Sequence, residues 1–235
     1  MDATLKILTL LPAIDWCAVL LLFVSWAGYA HFARVRTGER PSVLAATNRV
    51  RRQWMLQTTY RDVRVIDGLV IQNLSSSPSF FASTTILIIG GLLAILGTSE
   101  TATELVRDIP FAARTSNLVF DLKLLLILGI FVYAFFRFTW SMRQYTFGAL
   151  LIAAAPDAQR FIDEAISRDA FADRAGRLVG MAAETFNDGL RAYYFSFAVI
   201  AWFFSPIAFM VATLAVVLVL YRREFGSDVL AILNS

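Results

Sequence analysis

Asp15, Asp121, Lys123 and Arg137 are ionisable residues set in otherwise apolar stretches of a 235-residue chain. Charge at membrane depth is expensive, so such residues either serve as ion-attracting groups and charge relays or reach back to water and pair for stability. Asp15, Asp121 and Lys123 fall near one end of their stretches. Arg222, Arg223 and Glu224 come to the same level if the last apolar stretch crosses once, and the six together form a candidate outer charge cluster. Arg137 belongs to the opposite end, beside headgroups. A second set is hydroxylic: Ser83, Thr84 and Thr85, followed by Gly90 and Gly91, are a candidate polar pore face or a close-packing face. A third set is basic. Arg49, Arg52, Arg61 and Arg64 interleave with apolar residues at helical intervals, an arrangement suited to anionic lipid headgroups.

Most other chemistry is excluded. With one cysteine, Cys17, and one histidine, His31, the chain has neither an internal disulfide nor an imidazole- or thiolate-rich metal site. It carries no glycine-rich phosphate or dinucleotide loop, no zinc-protease pair and no nucleophile elbow. No catalytic residue, metal or cofactor is therefore assigned, and an enzyme is the less favoured reading. Nucleic-acid binding through the arginines is not expected either, because membrane sidedness already accounts for them.

The elements that must position these residues follow from composition. Of the residues, 58% are hydrophobic and 17% charged, with a net charge of +3 and a mean hydropathy of +0.64. Soluble domains run at about 45–50% apolar and about 25% charged. A spanning helix needs about 20 mostly apolar residues, and four segments qualify: 14–32, 80–96, 118–140 and 193–221. The fold expected is an all-α polytopic bundle, with two further helical segments at 42–74 and 157–190 outside the bilayer. The run Ser75-Ser76-Ser77-Pro78 is expected to separate the first of these from the second span. Ala172, Gly176 and Gly180 lie four apart in the second segment, a spacing for close helix packing or an oligomer contact.

Sidedness follows from the arginines. The connection from 33 to 79 holds eight arginines against Glu39, Asp62 and Asp67, which places it in the cytoplasm of a bacterial inner membrane with the N-terminus outside. The acidic connection from 97 to 117 then faces outward. The fourth span strains this rule, because one crossing carries Arg222 and Arg223 outside. Two readings stand: one helix kinked at Pro206, which is favoured, or a hairpin with its tip at Ser205-Pro206.

Tyr221-Arg222-Arg223-Glu224-Phe225 with Ser227, Phe80-Phe81-Ala82-Ser83-Thr84-Thr85 leading to Gly90-Gly91, and Asp15, Trp26, Gly28 and Tyr29 resemble the bacterial and plant membrane-protein family catalogued as domain of unknown function 599. Trp54, Arg61, Arg64 and Asp67 fit the same pattern. The resemblance implies a multi-pass membrane protein and supplies no catalytic residue. The function expected is an oligomeric ion channel or transport-type protein. The alternative is a non-catalytic scaffold or assembly subunit that binds other membrane proteins. The partners expected are the bilayer with its anionic headgroups and further copies of the chain.

Overall fold

The computed structural model describes residues 11–36, 42–98, 116–163 and 166–234, and among these every regular element is a helix. They are α1 (Ala13–Arg36), α2 (Val43–Thr58), α3 (Val65–Gly97), α4 (Asn117–Ala153), α5 (Arg160–Asp163), α6 (Arg168–Ile200), a 3-10 turn (Ala201–Phe203), α7 (Pro206–Phe225) and α8 (Asp228–Asn234). The acidic connection expected to face outward lies almost wholly outside the described residues. Four helical stretches, in α1, α3, α4 and from α7 onward, are long and apolar enough to cross a membrane.

Two boundaries differ from expectation. The break between the arginine-rich segment and the second span falls at 59–64 and not at the serine run, so α3 is one helix through Pro78. Proline removes a single backbone donor there, while the Ser75 and Ser76 hydroxyls donate to the carbonyls of Gln72 (2.9 Å) and Asn73 (2.7 Å). At 59–64, by contrast, tight-turn bonds close α2: Thr59 N–H to Leu56 O (3.1 Å), Tyr60 N–H to Gln57 O (3.2 Å) and Arg61 N–H to Thr58 O (3.3 Å). Helix α2 opens on Ser42, whose Oγ accepts the Ala45 N–H at 3.1 Å.

The second difference is the segment 193–221, which is not one span. Helix α6 continues without interruption from the extramembrane segment, ends at Ile200, and is followed by the 3-10 turn and a fresh helix start. Ser205 caps that start by accepting the Ala208 N–H (3.0 Å), and Pro206 occupies the first helical position, where its missing N–H costs nothing.

The chain forms two compact units. The first contains residues 1–35, 85–134 and 190–222. Within it α6 runs antiparallel to α1: Arg191 lies over the Tyr29 ring (5.6 Å), Phe195 stacks on Trp26 (5.5 Å), and the Trp202 indole reaches Asp15. Helix α7 then returns parallel to α1, from Phe209 stacked on Trp202 (5.4 Å) to Tyr221 beside Phe32 (6.2 Å). Ser205-Pro206 therefore marks the tip of a helical hairpin.

The second unit contains residues 36–84, 135–189 and 223–235. Its core gathers Met55, Ile71, Tyr145, Ile152, Phe171 and Val179 from α2, α3, α4 and α6. The stripe Ala172-Gly176-Gly180 is used for packing on α2. A Cβ on Gly176 would stand 3.0 Å from the Arg52 Cα, and one on Gly180 would stand 2.9 Å from the Asn48 Oδ1. Helix α8 packs on α2 as well.

Candidate functional site

In the first unit, the charges gather at the hairpin tip. A helix that ends in apolar surroundings leaves carbonyls without donors. The Lys123 ammonium, 2% exposed, donates to the Trp202 carbonyl at 2.9 Å and lies 5.3 Å from the Trp202 ring and 5.5 Å from that of Phe203. Asp15, in the first turn of α1, accepts the Trp202 indole N–H. A cation is favourable at a helix C-terminus and an anion at an N-terminus, so each charge sits where the local dipoles want it. Asp121 contributes a buried Oδ1 that has no hydrogen-bond partner within the described structure.

Of the six residues in the expected outer cluster, Asp15 and Lys123 are brought together, while Arg222, Arg223 and Glu224 are carried away. The cause is the hairpin. Glu224 follows Phe209 by fifteen residues of one helix, about 22 Å at a rise of about 1.5 Å per residue. Its carboxylate accepts the Leu44 N–H at 3.0 Å, an anionic cap on the first turn of α2 in the second unit.

The hydroxyl set also divides. Thr85 is fully buried and shares a 2.7 Å hydrogen bond with the Tyr193 hydroxyl, which in turn packs edge-on against Phe131. Thr84 is half-buried and Ser83 exposed. Gly90 and Gly91 are exposed, and a Cβ on either would meet no atom within 4 Å.

In the second unit, the arginines expected at headgroups also make bonds within the fold, Arg61 and Arg64 at turns and Arg49 and Arg52 on neighbouring helices. Asp67, 0% exposed, accepts the Trp54 indole N–H and an Arg61 N–H, both at 2.7 Å, while its second oxygen is buried without a partner. Arg64 donates to the carbonyls of Thr58 (3.1 Å), Ala155 (2.7 Å) and Pro156. Arg168, which the sequence did not single out, donates to the carbonyls of Thr59 and Ala158 and lies over the rings of Tyr60 (4.3 Å) and Phe161 (4.9 Å). Together these arginines close the turn at 59–64 against the turn at 154–159. Arg52 pairs with Asp173 and, at 3.2 Å, with Asp169, and Arg49 donates to the Asn234 side chain. Arg51, bonded to Asn48 and Thr47, has its guanidinium pulled below the ordinary arginine range by burial, against the pull of Tyr145 and Glu184. Arg137 pairs with Asp188, a partner that distance in sequence concealed.

Trp54, Arg61 and Asp67 thus form one hydrogen-bonded knot, and Arg64 donates to carbonyls of the adjoining turns. The family described as protein of unknown function, DUF599, matches residues 17–229. The chain belongs to that family. Comparison with curated proteins and with solved structures gives no match. In this DUF599 protein the matched region takes in the knot around Asp67, Lys123 and Trp202 at the hairpin tip, and the whole of α3.

Sequence reasoning had signals for part of what it missed. Ser-Pro opening an apolar run is a helix-start signature, and a tryptophan in an apolar stretch needs an acceptor for its N–H. These point to a new helix at Pro206 and to an acid near Trp202. Nothing local announces that Glu224 would cap α2.

Among the described residues no group of three or more His, Cys, Asp or Glu side chains could hold a metal ion. Two apolar grooves flank α1, one of about 530 Å³ lined by Trp26, Ala30, Gly129 and Tyr133, the other of about 590 Å³ lined by Gly28, Leu214 and Tyr221. Neither brings carboxylates together.

Proposed function

We propose that this DUF599 protein is a non-catalytic membrane assembly subunit that associates with further copies of itself along the outer face of α3. The observation that carries the reading is a seam: Leu87, Gly90, Ala94 and Gly97 recur at alternating steps of three and four, and all are exposed. Ser83 lies one turn earlier on the same helix face. Only 11% of the most apolar stretch of α3 is buried, against 39% for α4, so α3 stands at the edge of its bundle. Helices associate in lipid by close approach rather than by hydrophobic burial, and small residues at the contact permit it. A period of 3.5 keeps such a seam facing a partner along its length.

The channel reading has less support. Its polar face loses Thr85 to Tyr193 and retains Ser83 as the exposed hydroxyl of the three. We place the protein in a bacterial inner membrane with α2 on the cytoplasmic side. The hairpin favours this sidedness, because Glu224 on α2 leaves Arg223 beside the arginine-rich segment and removes the conflict with the positive-inside rule.

Single-cysteine crosslinking tests the seam. Cys17 is exposed and free, so it is first replaced by serine. Cysteines are then placed singly at Leu87, Gly90 and Ala94, and at Ile207 on α7, which is 60% exposed, as the control. Oxidation in native membranes is expected to give dimers of this chain from the three seam positions and none from Ile207. Absence of seam dimers overturns self-association, and adducts to a different protein support the hetero-scaffold. Ion flux in liposomes that changes with Ser83→Leu supports the channel instead.

A further inference from the structure

A cleft of about 360 Å³ opens on the second unit between α2 and α6, and charged side chains among its lining are Arg49, Arg52, Asp173, Arg177 and Glu184. That volume falls in the range of small-ligand clefts. Its depth comes from glycine: α2 lies against Gly176 and Gly180, where any side chain would collide with Arg52 or Asn48.

The charges lining it are not equally committed. Arg52 is held by Asp173 and Asp169. Glu184 accepts the Asn48 amide at 3.2 Å and faces Arg51. The lining acids are thereby engaged, but two lining cations are not matched by acids. The Arg49 guanidinium meets a neutral carboxamide oxygen, that of Asn234. Arg177 sits four residues after Asp173, the spacing for a helical ion pair, yet Asp173 is taken by Arg52 from α2. Neither Arg49 nor Arg177 has a carboxylate partner among the described residues. Both are exposed, and both line the same cleft.

Guanidinium groups present planar forks of donors that match the oxygens of a phosphate, and charge-assisted bonds of this kind are the strong ones. We propose that this cleft binds a phosphate monoester, clamped between Arg49 and Arg177, with the ligand oxygen taking the place of the Asn234 carbonyl on Arg49. The Arg52 pairs stay intact, because that guanidinium already has two carboxylate partners, Asp173 and Asp169. The recognising chemistry is a dianionic phosphate group, carried either by a soluble molecule or by a lipid headgroup whose phosphate is terminal.

The full chain, purified in a neutral detergent, is titrated with inorganic phosphate, and in parallel is mixed with phosphatidylcholine vesicles with and without phosphatidic acid. Saturable binding is expected in at least one arm, weakened at least tenfold by Arg177→Gln and by Arg49→Gln. Arg174→Gln, on an exposed arginine of α6 outside the cleft, is expected to bind as the parent does. Phosphate binding in detergent assigns a soluble ligand, and binding confined to phosphatidic acid vesicles assigns a headgroup. The proposal is overturned by no binding in either arm, by binding that survives both cleft substitutions, or by equal weakening from Arg174→Gln. Melting temperatures of the three variants separate loss of a clamp from loss of the fold.

Discussion

Replacing Asp67 tests whether the arginine-rich segment is held by a buried carboxylate. The side chain is 1% exposed and binds two donors at 2.7 Å, the Trp54 indole and Arg61. In Asp67→Ala the Trp54 N–H loses its acceptor, at a cost of about 1–3 kcal/mol. Arg61 is 45% exposed and returns to water, so its half of the loss is discounted. The sum is about 2–3 kcal/mol. In a chain of this size 1 kcal/mol moves the melting temperature by about 2–4 °C, so a fall of roughly 5–10 °C is expected on thermal unfolding in detergent. Removing Arg61 instead strands the carboxylate, and Arg61→Gln is expected to cost about 3 kcal/mol or more. The double variant Arg61→Gln/Asp67→Asn should then be no less stable than Arg61→Gln alone, because the stranded charge is gone. Strict additivity of the losses from Arg61→Gln and Asp67→Asn, each measured singly, would refute the reasoning, since independent sites add and coupled ones do not.

Three further expectations follow from individual contacts. A Cβ on Gly189 would stand 2.4 Å from a ring carbon of the fully buried Phe138, so Gly189→Ala gains about 1 kcal/mol of helix propensity but loses about 1–3 kcal/mol to overpacking. A net fall in melting temperature is expected, and its recovery in Gly189→Ala/Phe138→Leu checks the cause. Lys123→Met leaves the Trp202 carbonyl without its donor and Asp15 without a neighbouring cation, for a loss of about 3 kcal/mol; the added change Asp15→Asn is expected to restore part of the lost thermal stability. Glu224→Gln keeps an acceptor for Leu44 N–H but removes the anion from the first turn of α2, for about 0.5 kcal/mol, and faster amide exchange over Leu44 to Ala46 is the readout.

What the sequence made legible was what depends on local composition and period. Apolar stretches of spanning length mark α1, α3, α4 and α7 because the bilayer thickness sets their length. The hairpin was only half legible. The apolar run from Tyr193 to Tyr221 reads alike for one long helix and for two arms, since both are uniformly apolar, and Ser205-Pro206 decides only once Ser205 is seen to cap a new helix. The serine run misled for a related reason. Proline usually ends a helix, but here the break fell where Trp54, Arg61 and Asp67 converge, and that convergence involves a turn no periodicity displays. Charge roles were the least legible. Arg64 and Arg168 look like surface arginines in sequence, and only the fold supplies the carbonyls of 155, 156, 158 and 59 that they bind. The same holds for Lys123, whose acceptor lies 79 residues away.

With Asp15, Lys123, Asp67 and Arg64 engaged at turns and helix ends, the exposed seam of α3 is the feature on which the functional reading rests. Counting the subunits of the protein in lipid nanodiscs, by mass, tests it most directly. The account predicts more than one copy per particle for the parent chain, and a single copy once Gly90→Leu and Ala94→Leu put bulk into the seam, with the melting temperature of the protomer unchanged. A parent chain that is monomeric in lipid, or an oligomer that persists with both leucines in place, would contradict it.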